Sequence, residues 1–478
     1  MTVLLTRRFL AADQELFARL SGDRNPMHMD PIAARRTQAG AQVVHGIHTV
    51  LSCLEGLARS GDRPERPTSI EARFAKPVLV GDSVTIHLAG RTAEHVRLRV
   101  ELAGSVLATL RLSLNKPGVD LPVIDASPEP GDLPAPRELS FASMPGRSGA
   151  VPLGAPLDAF EGAFPAASAW LGAAYLRELA GLSYLVGMEC PGLHSIFSSL
   201  SVRYLPAREA KAISYSVVWA DERVNMVRLA VSGAGLAGEI EAFVRLPPTA
   251  QPAIAEIARQ VAPDEFAGDV ALVVGASRGL GEIAAKIIAA GGGHPIITYA
   301  QGGADADAVA RDITGFGRPC TVLRYDARLA PEPQLRDLAL VPTSLYYFAT
   351  GQIFRRKSGI FEPQIFRDFL ALYVDGFQAL CQALAARSPQ PLSVFYPSSV
   401  AVEDRPEGMA EYAMAKAAGE ILCADLARFS PGLDIHVRRL PRTRTDQTAT
   451  VVPVGAAEPA ALMLPIVREV QAAIRRLA

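Results

Sequence analysis

Two stretches of the chain alternate polar with apolar residues and break at the same small-residue turn: HVRLRVELAGSVLATLRLSL at 95–114 and MVRLAVSGAGLAGEIEAFVRL at 226–246. A period of two is the mark of half-buried antiparallel strands, and meeting the same pattern twice is an internal repeat. The chain is therefore expected to hold two copies of one strand-building unit. In the first copy the hairpin follows SIEARFAKPVLVGDSVTIHLAG and the segment IHTVLSCLEGLAR, where Ile47, Val50, Leu51, Leu54 and Leu57 recur at helical spacing and form one apolar stripe. In the second it follows AASAWLGAAYLRELAGLSYLVGM, which also reads as helical. Between the copies, residues 117–137 carry Pro117, Pro122, Pro128, Pro130, Pro134 and Pro136 with few apolar pairs. That composition predicts an extended surface connector.

At 478 residues the chain exceeds what one hydrophobic core serves, so two to three domains are expected. A formal charge of -1 and the lack of any Lys/Arg run argue against a nucleic-acid partner and for a small-molecule substrate. The five cysteines, Cys53, Cys190, Cys320, Cys381 and Cys423, form no C-x-x-C pair, which speaks against a disulfide framework or a zinc site. No apolar run reaches spanning length, and the cytoplasm is the expected compartment.

The residues with chemistry precede the first helix. In SGDRNPMH, Asp23 and His28 stand five positions apart, followed by the His45-Gly46 pair. Two titratable groups in one crevice suggest acid/base work, whereas an Asp and a His taken alone would more often be a turn opener and a packed ring. The whole string FARLSGDRNPMHMDPIAARRTQAGAQVVHGI closely resembles the signature of MaoC-like, (R)-specific enoyl thioester hydratases. That resemblance implies a hotdog fold, a long helix wrapped by an antiparallel sheet, for residues 1–116, with Asp23 and His28 as the catalytic pair. Negative charge developing on a thioester oxygen needs a donor, and the N–H of Gly46 at a helix N-terminus is the candidate. His45 and His48 are read as structural. The second copy, residues 138–248, has no counterpart of the string; before its helix stand only Asp158 and Glu161. It is expected to be a degenerate hotdog that completes an acyl tunnel and carries no chemistry. His194 in that half is read as a satisfied core or surface group.

After a second proline-bearing junction (Pro247, Pro248, Pro252, Pro263) comes DVALVVGASRGLGEIAAKIIAAGG, an apolar strand, a glycine loop and a helix. Gly275, Gly279 and Gly281, with Ser277 and Arg278 between them, form a loop that a pyrophosphate can approach, and the following helix N-terminus favours its charge. Downstream, YPSSVAVEDRPEGMAEYAMAK sets Ser399, Tyr412 and Lys416 in the spacing S-x12-Y-x3-K. The conjunction resembles the short-chain dehydrogenase/reductase family over residues 267–478, and implies a Rossmann-type, doubly wound parallel sheet. A tyrosine, of reference pKa about 10, exchanges protons at neutral pH only if its anion is stabilised, and Lys416 one turn later is placed to do so. The resemblance further implies that Lys416 holds the nicotinamide ribose, that Ser399 binds the substrate oxygen and that Asp326 lies beside the adenine. HPIITYAQGG ends without the acid that binds a ribose 2′-hydroxyl, and Arg278 can meet a 2′-phosphate, so NADP(H) is the expected cofactor. Three positions depart from the family pattern: Phe348-Ala-Thr-Gly351 stands for Asn-Asn-Ala-Gly, Tyr373 for a catalytic Asn, and Arg442 for the Gly after Pro441.

The expected architecture is thus an α+β double hotdog followed by an α/β Rossmann-type domain. The expected activity is bifunctional: (R)-3-hydroxyacyl thioester dehydration, or enoyl hydration, and NADPH-dependent reduction of a 3-ketoacyl thioester. Peroxisomal multifunctional enzyme type 2 has similar parts in the reverse order. The alternative is a reductase for an unrelated carbonyl, a sugar or polyketide, with the hotdogs acting separately or only binding acyl chains. An acyl-coenzyme A or acyl carrier protein thioester is the expected partner, and self-association into a homo-oligomer is expected from the reductase resemblance.

Overall fold

The two alternating stretches become equivalent hairpins of one continuous sheet. The computed structural model describes residues 2–61, 63–114, 133–205, 211–355, 359–388, 390–448 and 455–477. Most of the expected connector, including Pro117, Pro122, Pro128 and Pro130, lies outside the described residues. The chain divides into two units, one built on Met1–Pro247 and the other on Pro248–Ala449 with Val454–Ala478.

Among the described residues the first unit has ten strands: β1 (Thr2–Arg8), β2 (Ser69–Phe74), β3 (Ser83–Arg91), β4 (His95–Leu102), β5 (Ser105–Ser113), β6 (Ser148–Pro152), β7 (Ser195–Tyr204), β8 (Ala212–Asp221), β9 (Met226–Ser232) and β10 (Leu236–Val244). Their spatial order is β1-β3-β4-β5-β2-β7-β10-β9-β8-β6. Read outward from the centre, β2-β5-β4-β3-β1 matches β7-β10-β9-β8-β6, so the halves repeat one topology about the antiparallel β2/β7 seam. At that seam Ile70 faces Val202 and Ala72 faces Leu200, all buried, which seals the two copies into one core. The first strand, β1, pairs with β3 along the outer edge and was not foreseen in the sequence. An edge strand buries little, and TVLLTRR lacks the alternation that marks the others.

The helix Gly46–Arg59 is buried on nearly every side, Thr49, Ser52 and Cys53 included, and not only along its apolar stripe. A helix between a curved sheet and a second helix has no solvent face to keep polar. The second copy's helix, Ala173–Tyr184, continues into a wider turn at Leu185–Glu189, also buried.

Among the described residues the second unit holds six parallel strands, β11 (Val270–Val274), β12 (His294–Tyr299), β13 (Thr321–Arg324), β14 (Ser344–Tyr347), β15 (Leu392–Ser399) and β16 (Leu433–Leu440). The order β13-β12-β11-β14-β15-β16 is the doubly wound one, and the strand order reverses between β11 and β14. Ile254, Ile257, Val261 and Phe266 belong to its core, so the unit takes in residues ahead of 267.

Candidate active sites

The first constellation is built by local capping. The helix Ala11–Ser21 stops at Gly22, whose φ of 81° is the left-handed conformation glycine adopts without strain. Three residues on, Asn25 caps a short turn, Pro26–Met29, by accepting from the N–H of Met27 at 3.0 Å, with Pro26 in the first position. The two caps fold the loop back so that Asp23 and His28 converge, and each side chain is under a tenth exposed. One donor atom from each of Asp23, His28 and His45 lies within 4.8 Å of the others.

Hydrogen bonds fix the orientation of each group. The N–H of Asn25 donates to Asp23 Oδ1 at 3.1 Å, and the hydroxyl of Ser183 donates to Oδ2 at 2.7 Å. His28 Nδ1 is 2.6 Å from the carbonyl of Val43, which can only accept, so this nitrogen carries the proton and a neutral His28 keeps Nε2 as its basic atom. His45 stacks on His28 with ring centroids 3.9 Å apart and donates from Nε2 to the Asp23 carbonyl at 3.2 Å. Burial raises the pKa of Asp23, opposed by His28, by the Ser183 hydroxyl and by the Asn25 amide. Burial, with His28 and His48 nearby, holds His45 well below the usual histidine range, so its ring is neutral. His48 is likewise kept neutral, stacked on Phe17 and 3.0 Å from Arg7. Gly46 opens its helix with His45 as the cap; a Cβ there would come 3.0 Å from the Phe74 ring, so any larger residue must press on that ring.

The second constellation lies in the other unit. Gly275 follows β11 with a φ of 79°, and a Cβ there would sit 3.0 Å from the Phe348 carbonyl just beyond β14. The glycine loop and the Phe348–Gly351 loop therefore face each other where the strand order reverses. Gly281 brings the helix Gly279–Ala290 against the loop, since a Cβ would lie 2.5 Å from the Gly275 carbonyl. Gly279 has a φ of 63°, Ser277 is nearly buried, and Arg278 lies 3.5 Å from Asp446. Asp326 accepts from Arg328 at 2.7 Å, a pairing that holds its carboxyl below the usual range.

Tyr412 and Lys416 lie on the helix Ala410–Phe429, and Ser399 ends β15. The Tyr412 hydroxyl is raised by burial, opposed by a hydrogen bond with Ser399. Lys416 Nζ donates to the Pro397 carbonyl at 2.6 Å and sits 3.9 Å from the Tyr373 ring centre and 5.0 Å from that of Tyr396. Burial lowers its pKa to about 7. Tyr373 lies in a wide turn, Ala371–Asp375, with its hydroxyl 2.6 Å from Thr350 Oγ1. Two of the positions that depart from the reductase pattern thus bond each other beside Lys416.

Residues 2–109 match the MaoC like domain family. The 3-hydroxybutyryl-CoA dehydratase of Methylorubrum extorquens is 31% identical over 110 residues, which are 22% of this chain and 69% of that protein. The chain belongs to the MaoC-like family. Another MaoC-like relative, 3-hydroxyacyl-thioester dehydratase Y of Mycobacterium tuberculosis, is 35% identical over 111 residues, 23% of this chain but only 38% of its own length. A solved structure described as a short chain dehydrogenase from Escherichia coli complexed with NADPH aligns with 45% of this chain and 95% of its own, at 22% identity and a TM-score of 0.40.

Within the MaoC-like unit, the sequence pointed to Asp23, His28 and Gly46 but not to the residues that wall them in. Ser183 bonds Asp23 across 160 positions, and Asn25 donates from Nδ2 to the carbonyl of Gly187 at 2.8 Å. A Cβ on Gly187 would lie 2.4 Å from Asp23 Oδ1. Ser183 and Gly187 come from the second copy, and its own sequence carries no acid/base signal that marks them. His194, by contrast, lies 3.1 Å from Glu138.

Proposed function

We propose that the MaoC-like unit adds water to, or removes it from, an acyl thioester, and that the second unit reduces the matching 3-keto group with NADPH. The observation that carries the first half is the buried Asp23/His28 pair, with Nδ1 of His28 committed to Val43 and both carboxylate oxygens of Asp23 engaged. In hydration, a water oxygen bonds C3 while one proton leaves that water and one reaches C2; Asp23 and His28 divide the two transfers. Charge building on the thioester oxygen is met by the N–H of Gly46, which has no partner within its own helix because it stands in the first turn. Dehydration of the (R)-3-hydroxyacyl thioester runs the same steps backward.

The second half rests on the glycine loop at the strand-order reversal and on Ser399, Tyr412 and Lys416. Close backbone packing around Gly275 and Gly281 fits a dinucleotide pyrophosphate, and Arg278 is the group for a 2′-phosphate. A nicotinamide held by the glycine loop and Lys416 would supply the hydride that the carbonyl carbon takes up. Tyr412 gives the carbonyl oxygen its proton, Ser399 orients that oxygen, and Lys416 steadies the phenolate left behind. The two reactions meet at one carbon, since ketone reduction yields the hydroxyl that dehydration removes. The thioester carrier is coenzyme A or an acyl carrier protein.

Purified protein incubated with 3-ketoacyl thioesters and NADPH tests this by mass. The acyl group gains two hydrogens and then loses water; Tyr412→Phe stops the first change, and Asp23→Asn stops only the second. Each substitution lowers its own step by about 10²- to 10⁴-fold, the usual worth of a positioned acid or base. No mass change across coenzyme A and carrier-protein thioesters would refute the shared-substrate reading.

A further inference from the structure

In the fused pair, the last turns of each copy's helix rest on a segment of the other copy. One turn before the end of the first helix, Glu55 accepts from the N–H groups of Ala166 at 3.3 Å and Ala167 at 2.8 Å, in the first turn of the helix Pro165–Leu171. The second ends on the Asp23 loop. There Tyr184 covers Gly22, Ser183 donates to Asp23 Oδ2, and Gly187 backs the carboxylate at a distance that leaves no room for a Cβ.

We propose that the motif-less second copy supplies the positioning residue of the first copy's site, Ser183, whose hydroxyl fixes the Asp23 carboxylate against His28. The inference rests on reading Asp23 as a proton-transfer group and adds where its orientation comes from. Three observations support it. Ser183 and Asp23 are both nearly inaccessible to water, so no solvent molecule competes for the 2.7 Å bond. The two carboxylate oxygens have different partners, Asn25 N–H on Oδ1 and Ser183 Oγ on Oδ2, so the group cannot turn without breaking both. Asn25 also anchors its side chain on the Gly187 and Gly192 carbonyls, at 2.8 and 3.2 Å, which ties the whole loop to the second copy.

Among the described residues, Ser183 is the donor to the Asp23 side chain from the second copy. The titratable groups facing Asp23 are His28 and His45, both from the first copy. From the second copy, Tyr184 Oη accepts from the N–H of Leu133, and Glu189 is held by Arg137 and Arg147. A hydroxyl donor favours the ionised carboxyl, so its loss must move the Asp23 titration upward.

The test is hydration of crotonyl-coenzyme A by the full chain, followed from acid to alkaline pH. Ser183→Ala is expected to lower kcat about tenfold with KM within about twofold, and to move the Asp23 limb of the profile to higher pH. Ser183→Thr, which keeps the hydroxyl, restores both. Should the alanine variant fold poorly, Ser183→Cys keeps the volume with a weak donor and is expected to show the same upward move. A Ser183→Ala or Ser183→Cys enzyme with unchanged kcat and limb overturns the positioning role while leaving the hydratase reading intact. Hydration that survives in Asp23→Asn overturns both, which separates the two failures.

Discussion

Asp23 and Lys416 pose the same physical problem, a charge taken out of water, and the two units meet it differently. Asp23 receives hydrogen bonds on both carboxylate oxygens and has two imidazoles beside it. Lys416 has three N–H groups, and among the described residues its Nζ donates to the Pro397 carbonyl alone, with the rings of Tyr373 and Tyr396 against it. A ring face is a weaker partner for an ammonium than a carboxylate or a second carbonyl. The lesson is one of completeness. The protein finishes the carboxylate site from its own two copies, whereas among the described residues the ammonium is left with one carbonyl and two ring faces.

If that contrast is right, crowding the finished site should be the most damaging change. Gly187→Ala puts a Cβ where 2.4 Å separates it from Asp23 Oδ1, well inside contact distance, so the carboxylate or the turn must move. Misplacing a catalytic group by about 1 Å can cost about 10²-fold in rate, and a fall of that size in hydration is expected, with ketone reduction unchanged. Steady-state assays of both activities on one preparation check it. Full hydration in Gly187→Ala would mean that the carboxylate is not confined, and the contrast with Lys416 would lose one side.

The sequence carried one of these sites much further than the other, and the reason is distance along the chain. Caps and glycines act over a few residues, so Gly22, Asn25-Pro26 and the glycine loop announce their turns locally. The repeated hairpins likewise give β4-β5 and β9-β10, which the sheet places in equivalent positions. What no local pattern can reveal is a contact between copies. Ser183 and Gly187 read as ordinary helix residues until the β2/β7 seam brings their helix end onto the Asp23 loop. Tyr373 shows the converse case. Its departure from the reductase pattern was plain, yet its ring against Lys416 and its bond to Thr350 depend on the fold.

A smaller effect concerns Lys416 alone. Its folded pKa of about 7 lies below the ordinary lysine value, so above pH 7 the unfolded chain holds the proton that the folded chain has shed. Stability then rises with pH through that window and is lost as pH falls toward 7. Lys416→Met removes the linkage. Between about pH 7 and about pH 9, the stability of the wild type relative to this variant should rise by about 2 kcal/mol, read from urea titrations of the second unit's transition. Saturating NADPH should shrink that rise if the cofactor supplies the missing acceptors. A flat difference would show that the Tyr373 and Tyr396 rings already compensate the charge.

The smallest expected effect has the opposite sign and belongs to Asp23. Its pKa is raised in the folded protein, so the folded carboxyl keeps its proton to a higher pH than the unfolded one. The stability this gives is complete below the unfolded value, about 3.9, and disappears as pH rises through the folded value. Burial therefore makes the ionised form cost stability despite its hydrogen bonds. Asp23→Asn removes the charge and keeps the shape, with the amide able to donate to Ser183 Oγ in place of accepting from it. The variant should lose hydration yet melt higher than the wild type at pH 7, and the gain should shrink toward pH 4. Calorimetry of the wild type and the variant at the two pH values measures it. A lower melting temperature at pH 7 would mean that Ser183, Asn25 and the imidazoles more than offset burial, making the carboxylate site more complete still.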